Sequence, residues 1–130
     1  MGKIILRRIH LKIFHIIGKD DWYPIKKEKK DYAPSSLQSE GFIHCCKLDQ
    51  ILLVLNTFFK NKDHQILLVI NQNKVKSKVV HETPYETPQS KFHFPHIYGP
   101  LNLDAIEDEI EVHPKEDGLF TLPKDLFNDL

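Results

Sequence analysis

KLDQILLVLNTFFKNKDHQILLVI, residues 47–70, changes its hydrophobic period once, and that change decides the fold class. Up to Phe59, the apolar side chains Leu48, Ile51, Leu52, Leu55, Phe58 and Phe59 recur at three- and four-residue spacing. This predicts a helix from about Lys47 to Phe59 with one apolar stripe against a sheet. From Gln65 to Ile70 the run is continuously apolar and short, which predicts a strand. Helix and strand in one short stretch, with no repeat elsewhere, point to a mixed α and β domain.

Working outward, Ile13 to Ile17 reads as a buried strand that contains His15. Asp20 or Asp21 is placed to cap a short helix starting at Trp22, with Pro24 in its first turn and Lys26, Lys27, Lys29 and Lys30 towards its C-terminal end. Ala33-Pro34-Ser35-Ser36 reads as a loop and Gly41-Phe42-Ile43-His44 as a short strand. Beyond residue 70, Lys78–Glu82 is a candidate strand, Thr83 to Gln89 a loop, and Leu103–Val112 a last strand with a helix as the alternative. From Gly118 on, Leu119, Phe120, Leu122, Leu126 and Phe127 suggest a tail that docks in part.

The bulk numbers fit one domain. A chain of 130 residues with 41% hydrophobic content and eight Phe can build a core without metals or disulfides. Cys45 and Cys46 are adjacent, a spacing that seldom permits an unstrained disulfide, so free thiols and a reducing cytoplasm are expected. No stretch reaches the roughly 20 apolar residues of a membrane span. The apolar N-terminus is broken by Arg7, Arg8, His10 and Lys12. Net charge is zero, yet residues 1–30 carry nine Lys/Arg against three Asp/Glu, and residues 104–130 carry nine Asp/Glu against two Lys. The two ends are therefore expected to attract each other. Only two of the 18 basic residues are Arg, the residue best suited to grip phosphate in a bidentate way, so a nucleic-acid face is not expected.

Chemistry concentrates in two places. His44 ends a short strand just before the long helix, where an imidazole can meet an anion or be tied to a backbone carbonyl. Phe94-Pro95-His96-Ile97-Tyr98-Gly99-Pro100 is stiffened by two prolines. If extended, it places His96 and Tyr98 on one side; otherwise it is a structural aromatic turn. No metal site is assigned: His93 and His96 diverge on an extended segment, and Cys45-Cys46 lacks the spacing of zinc ligands. Glycine-rich phosphate loops and the G-x-S-x-G and H-E-x-x-H patterns do not occur.

Together, Phe14-His15-Ile16, Tyr32-Ala33-Pro34-Ser35-Ser36-Leu37, Ser39-Glu40-Gly41-Phe42-Ile43-His44-Cys45, Gln50 in an apolar helix ending Phe58-Phe59, Leu67-Leu68-Val69-Ile70, Glu82 and Phe94–Leu101 carry a resemblance. In order and spacing they resemble the domain-of-unknown-function family 952, a mostly bacterial and uncharacterised family, over about residues 13–112. The resemblance leaves an N-terminal extension, 1–12, and an acidic C-terminal extension, 113–130, around that core. It implies an α+β fold similar to the ADP-ribosyltransferase superfamily: a split, mainly antiparallel sheet, one main helix and a short N-terminal helix.

It also implies a site. His15 is similar in position to the early-strand residue that holds the NAD ribose, Glu82 to the glutamate that bonds the ribose 2′-hydroxyl, and His44 and His96 are family motif residues. Trp22, Ser36 and Tyr98 are the implied ligand-binding residues, with NAD as the implied substrate. Cys46 departs from the family's Ser or Thr, and His81 from the aromatic residue before the glutamate. Three readings follow: a nucleotide-binding, ADP-ribosyltransferase-like protein, a non-catalytic ligand- or partner-binding module, or a metal-dependent enzyme.

Overall fold

The computed structural model describes residues 12–84 and 91–123. Among the described residues, six strands form two three-stranded antiparallel sheets. The first comprises β1 (Lys12–Gly18), β3 (Gln65–Asn71) and β6 (Ile106–Val112), with β3 in the middle. In the second, β5 (Phe94–Tyr98) lies between β2 (Ile43–His44) and β4 (Lys78–Glu82). Helices are few: α1 (Lys19–Glu28), α2 (Ser36–Ser39) and α3 (Ile51–Phe58), with short 3-10 turns at Leu48–Gln50, Gln72–Lys74 and Leu103–Ala105. Among the described residues, no helix is long and apolar enough to cross a membrane.

The continuous apolar run of β3 has a direct structural reason. Its alternate residues enter two different cores: Ile66, Leu68 and Ile70 face one, while Leu67 and Val69 face the other. The first core adds Ile13 and Ile17 from β1, Trp22 from α1, and Ile43 and Ile97 from the second sheet. The second core packs Phe14, Ile16 and Val112 against Ile51 and Leu55 of α3 and against Phe120. Each such side chain contributes roughly 1.5–3 kcal/mol relative to exposure, so this doubly covered sheet is the mechanical centre of the molecule. A bulge between Val69 and Ile70 shifts the β6 register and turns Ile106 towards the first core, although Ile110 and Val112 belong with the second.

Several boundaries differ from the periodicity reading. The helix α1 begins at Lys19, not at Trp22, because β1 runs into it without a linker; Gly18 stands at its N-cap and Asp20 and Asp21 occupy its first turn. Pro24 therefore lies inside the helix, where its missing N–H removes one internal bond. Trp22 offsets this by burying its ring and donating Nε1 to Glu109 Oε1 at 2.7 Å. The Lys47–Phe59 helix is divided into a 3-10 turn and α3, and its buried stripe is narrower than expected. Ile51 and Leu55 are fully buried, Leu48, Val54 and Phe59 flank them, and Leu52 and Phe58 are exposed, Phe58 by 67%. The last strand starts at Ile106, after a 3-10 turn at Leu103–Ala105.

The charge asymmetry resolves as expected on the β6 side. Lys12 pairs with Glu107, Lys19 Nζ lies 3.1 Å from Glu111 Oε1, and Lys26 Nζ lies 2.7 Å from Glu109 Oε2. Phe120 docks as the tail reading anticipates, its backbone N–H donating to Asn56 Oδ1 at 2.7 Å. Arg7, Arg8, residues 85–89 of the predicted loop, Leu126 and Phe127 lie outside the described residues.

Candidate functional site

The cleft forms where the two sheets part. Cys45 and Cys46, directly after β2, hold the sheets together at one point: Phe14 and Cys46 exchange two backbone hydrogen bonds of 2.8 Å, and Cys45 N–H donates to Pro95 O at 3.1 Å. Both thiols are buried and unpaired. Burial pushes the Cys45 thiol well up and raises Cys46 to about 12. Burial thus disfavours the thiolate of both. A second tie joins Tyr32 and Leu101, again by two backbone bonds, of 2.8 and 2.9 Å.

Between these ties a cavity of about 1000 Å³ is lined by His15, Tyr32, Ser36, Glu40, His44 and His96, with Val54, Phe59 and Phe94 among its apolar walls. His15, His44, His96 and Ser36 thus meet in one cleft, as four of the seven predicted site residues. Glu82 and Tyr98 reach it through His96. The seventh, Trp22, does not line it; only 2% exposed, it packs edge-on to Tyr32 in the first core.

Strand alternation explains the outer group. In β5, Ile97 points into the first core, which sends His96 and Tyr98 to the other face. His96 Nδ1 donates to Glu82 Oε1 at 2.7 Å, and the Tyr98 hydroxyl donates to the same oxygen. These two donors, Tyr98 first, hold the Glu82 carboxyl below the usual range and so keep it ionised, while the same contact raises the Tyr98 hydroxyl. Phe42 stacks on His96 with ring centroids 4.0 Å apart and planes at 20°. His44, opposite His96 in the β2–β5 register, has its centroid 5.7 Å away and donates Nε2 to Glu40. Two imidazoles, each oriented by a carboxylate, therefore flank one aromatic ring. Among the described residues, the hydrogen bonds of this group use His96 Nδ1 and Glu82 Oε1, which leaves His96 Nε2 and Glu82 Oε2 for a bound molecule.

His15 plays a different part. Its Nδ1 donates to the His44 carbonyl at 2.6 Å and its Nε2 accepts from the Tyr32 hydroxyl at 2.9 Å, so both ring nitrogens are taken. Burial outweighs the favourable carbonyl contact and holds its pKa down to about 4. A neutral, doubly bonded imidazole is a strut: it fixes the end of β2 and the Tyr32 ring. Burial likewise raises the Tyr32 hydroxyl, which stays a donor.

Glu40, Phe42, Tyr32 and Gln50 were quoted in motifs without a role. The signals were present for two of them: Glu40 and His44 are four apart, and Phe42 and His44 share the two-residue strand period. Gln50 accepts from Lys47 N–H at 2.9 Å and donates Nε2 to His93 O at 3.0 Å, tying the start of the α3 region to the approach to β5. Gly99, with φ of 148°, follows Tyr98; a Cβ there would lie 2.5 Å from Ser77 Oγ, so only glycine lets β5 leave the sheet at that point.

The crystal structure of CC0527 from Caulobacter crescentus has the same fold, with a TM-score of 0.72, 21% identity, and coverage of 85% of this chain and 94% of that one. A double-methionine variant of it aligns equally well. Its solution NMR structure aligns with a TM-score of 0.65 at 21% identity, covering 92% of this chain and 97% of the other. No curated protein matches the chain. Residues 16–109 match the family model described as "Protein of unknown function (DUF952)", and the chain belongs to that family.

Proposed function

We propose that the cleft binds a nucleotide of the NAD or ADP-ribose class and that the protein is ADP-ribosyltransferase-like in fold and chemistry. The observation that carries this reading is the Glu82 carboxylate, kept ionised by Tyr98 and His96 beside a stacked Phe42. An ionised glutamate with one free oxygen can accept a ribose hydroxyl and stabilise positive charge that develops at the anomeric carbon. In the reaction, the bond from that carbon to nicotinamide breaks and its electron pair leaves with nicotinamide. Water or an acceptor hydroxyl forms the new bond and gives up its proton to His96 Nε2 or to solvent. Phe42 and Tyr98 provide aromatic faces for a base, His44 and Ser36 provide polar contacts along the cleft, and His15 acts as a positioning residue.

Titration of the protein with NAD, ADP-ribose and adenosine, with nicotinamide release followed by chromatography, tests this. The reading expects saturable binding that weakens in His44→Ala, and slow nicotinamide release that stops in Glu82→Gln. It is abandoned if no nucleotide stabilises the protein at millimolar concentration.

A second reading, a non-catalytic binding module, is favoured by one observation. The described cavity walls include Asp21 and Glu40 but no lysine or arginine, so a pyrophosphate would meet only histidines. Binding of adenosine as tightly as ADP-ribose, with no nicotinamide release, would select it.

A further inference from the structure

Away from the cleft, Asp63, His64 and His113 bring one metal-ligating atom each within 4.8 Å of one another. None of the three lines the cavity. The ladder between β3 and β6 makes this group: Gln65 pairs with Val112, so the next residues outward, His64 and His113, come opposite each other at the end of the sheet. Their rings stand perpendicular, with centroids 5.2 Å apart. Glu111 lies two residues before His113 and hence on the same strand face.

The contacts form a closed set. Asp63 approaches one nitrogen of each ring, His113 Nδ1 at 3.0 Å and His64 Nε2 at 3.6 Å. Glu111 Oε1 approaches the other two, His64 Nδ1 at 3.6 Å and His113 Nε2 at 3.4 Å. His64 is held in a left-handed conformation, φ 53°, and its carbonyl accepts from Lys19 N–H at 2.8 Å, so the loop presents this imidazole from a fixed backbone.

We propose that this corner binds a divalent transition ion of the zinc class, with Asp63 and the two imidazole nitrogens it faces, His113 Nδ1 and His64 Nε2, as ligands, and with Glu111 bonded to the opposite nitrogens. Two neutral imidazoles and two carboxylates balance a doubly charged ion. Tetrahedral zinc with bonds of about 2.0–2.2 Å sets its ligand atoms about 3.4 Å apart, close to the 3.0 and 3.6 Å that the Asp63 oxygens already keep from those two nitrogens. Imidazole nitrogens select against calcium and magnesium, which prefer all-oxygen shells. Lys19 is the competitor: its ammonium lies 3.1 Å from Glu111 Oε1, the oxygen that the opposite imidazole nitrogens approach. Bound metal would clamp the β3–β6 end and raise the thermal midpoint.

The test uses the untagged full chain, stripped with chelator, and zinc chloride alone in a calorimeter, with cobalt(II) as the absorbing reporter. One equivalent should bind, with ligand-field bands and no thiolate charge-transfer band. His64→Asn and His113→Asn should each weaken binding by about tenfold or more, and Lys19→Ala should tighten it. Asparagine tolerates the left-handed backbone at position 64, and thermal melting in chelator checks that each variant folds like the parent. Absence of binding, binding unchanged in both histidine variants, or binding lost instead in His44→Asn with His96→Asn would each overturn the proposal.

Discussion

The central strands of the two sheets, β3 and β5, use the same antiparallel pairing for opposite ends. In β3 both faces are covered, so every alternation lands in a core and no side chain is left for chemistry. In β5 one face is spent on Ile97 and the first core, while the other carries His96 and Tyr98 to Glu82. Their carboxylates differ in the same way. Glu107 and Glu109 of β6 meet lysine ammonium groups. Glu40 and Glu82 meet histidines and a tyrosine, which offer ring N–H and O–H donors at the edge of the cleft. A sheet covered on both faces gives rigidity, and a sheet covered on one gives a site.

The largest effect should come from the covered sheet. Leu68→Ala removes a fully buried side chain at the centre of β3 and should cost about 2–5 kcal/mol in denaturant unfolding, with ligand affinity unchanged wherever the protein is folded. A loss well under that range would mean that the site collapses, and that β3 is not the rigid partner in the comparison.

The next effect tests the strut between the sheets. The folded pKa of His15 is about 4 against an ordinary value of 6.5, so the unfolded chain binds the extra proton first. Its contribution is fully present above about pH 6.5 and is lost as pH falls towards 4, by about 3 kcal/mol in all. Burial lowers His81 as well, which adds a slope of the same sign. Unfolding midpoints between pH 7 and 4.5 should fall in the parent and fall less in His15→Gln; equal slopes would remove the strut from the account.

Glu82→Gln sharpens the functional side. It preserves shape but removes the charge that Tyr98 and His96 share, so nucleotide affinity should drop by about tenfold or more, the factor for one charge-assisted hydrogen bond, while the thermal midpoint barely moves. The smallest effect should be Lys26→Ala. Its exposed pair with Glu109 is screened by salt, and the unfolding midpoint should match the parent in high salt.

Most of the first sheet was legible in the sequence, because burial on two faces writes an uninterrupted apolar run that no loop or surface helix produces. The Lys78–Glu82 strand was legible as a candidate, and the shared face of His96 and Tyr98 followed from the two-residue period once the segment is extended. Helix starts were not: the chain enters α1 directly from Gly18, so the expected cap at Asp20 or Asp21 has no linker to cap. The width of the α3 stripe was also hidden, since exposed Phe58 and buried Leu55 are both apolar.

For the candidate site, the sequence pointed to His44, His96 and Tyr98 through their segments, and the family resemblance added Glu82. It could not separate His15 from them, because a strut and a ligand-binding histidine are the same residue on the same kind of strand. It placed Trp22 at the ligand, whereas packing places it beneath Tyr32. By itself, then, the sequence determined which segments are strands, which residues are chemically capable, and that opposite charge at the two ends would pair, since period, residue type and charge are local properties. The tertiary structure alone decided which imidazole nitrogens are already taken, which carboxylate meets which partner, and that His64 and His113 face each other. Apart from the Glu40–His44 pair, those depend on register and on contacts between residues far apart in sequence, 14 for Glu82–His96, 29 for His15–His44 and more across the β3–β6 ladder, over which no local pattern carries information.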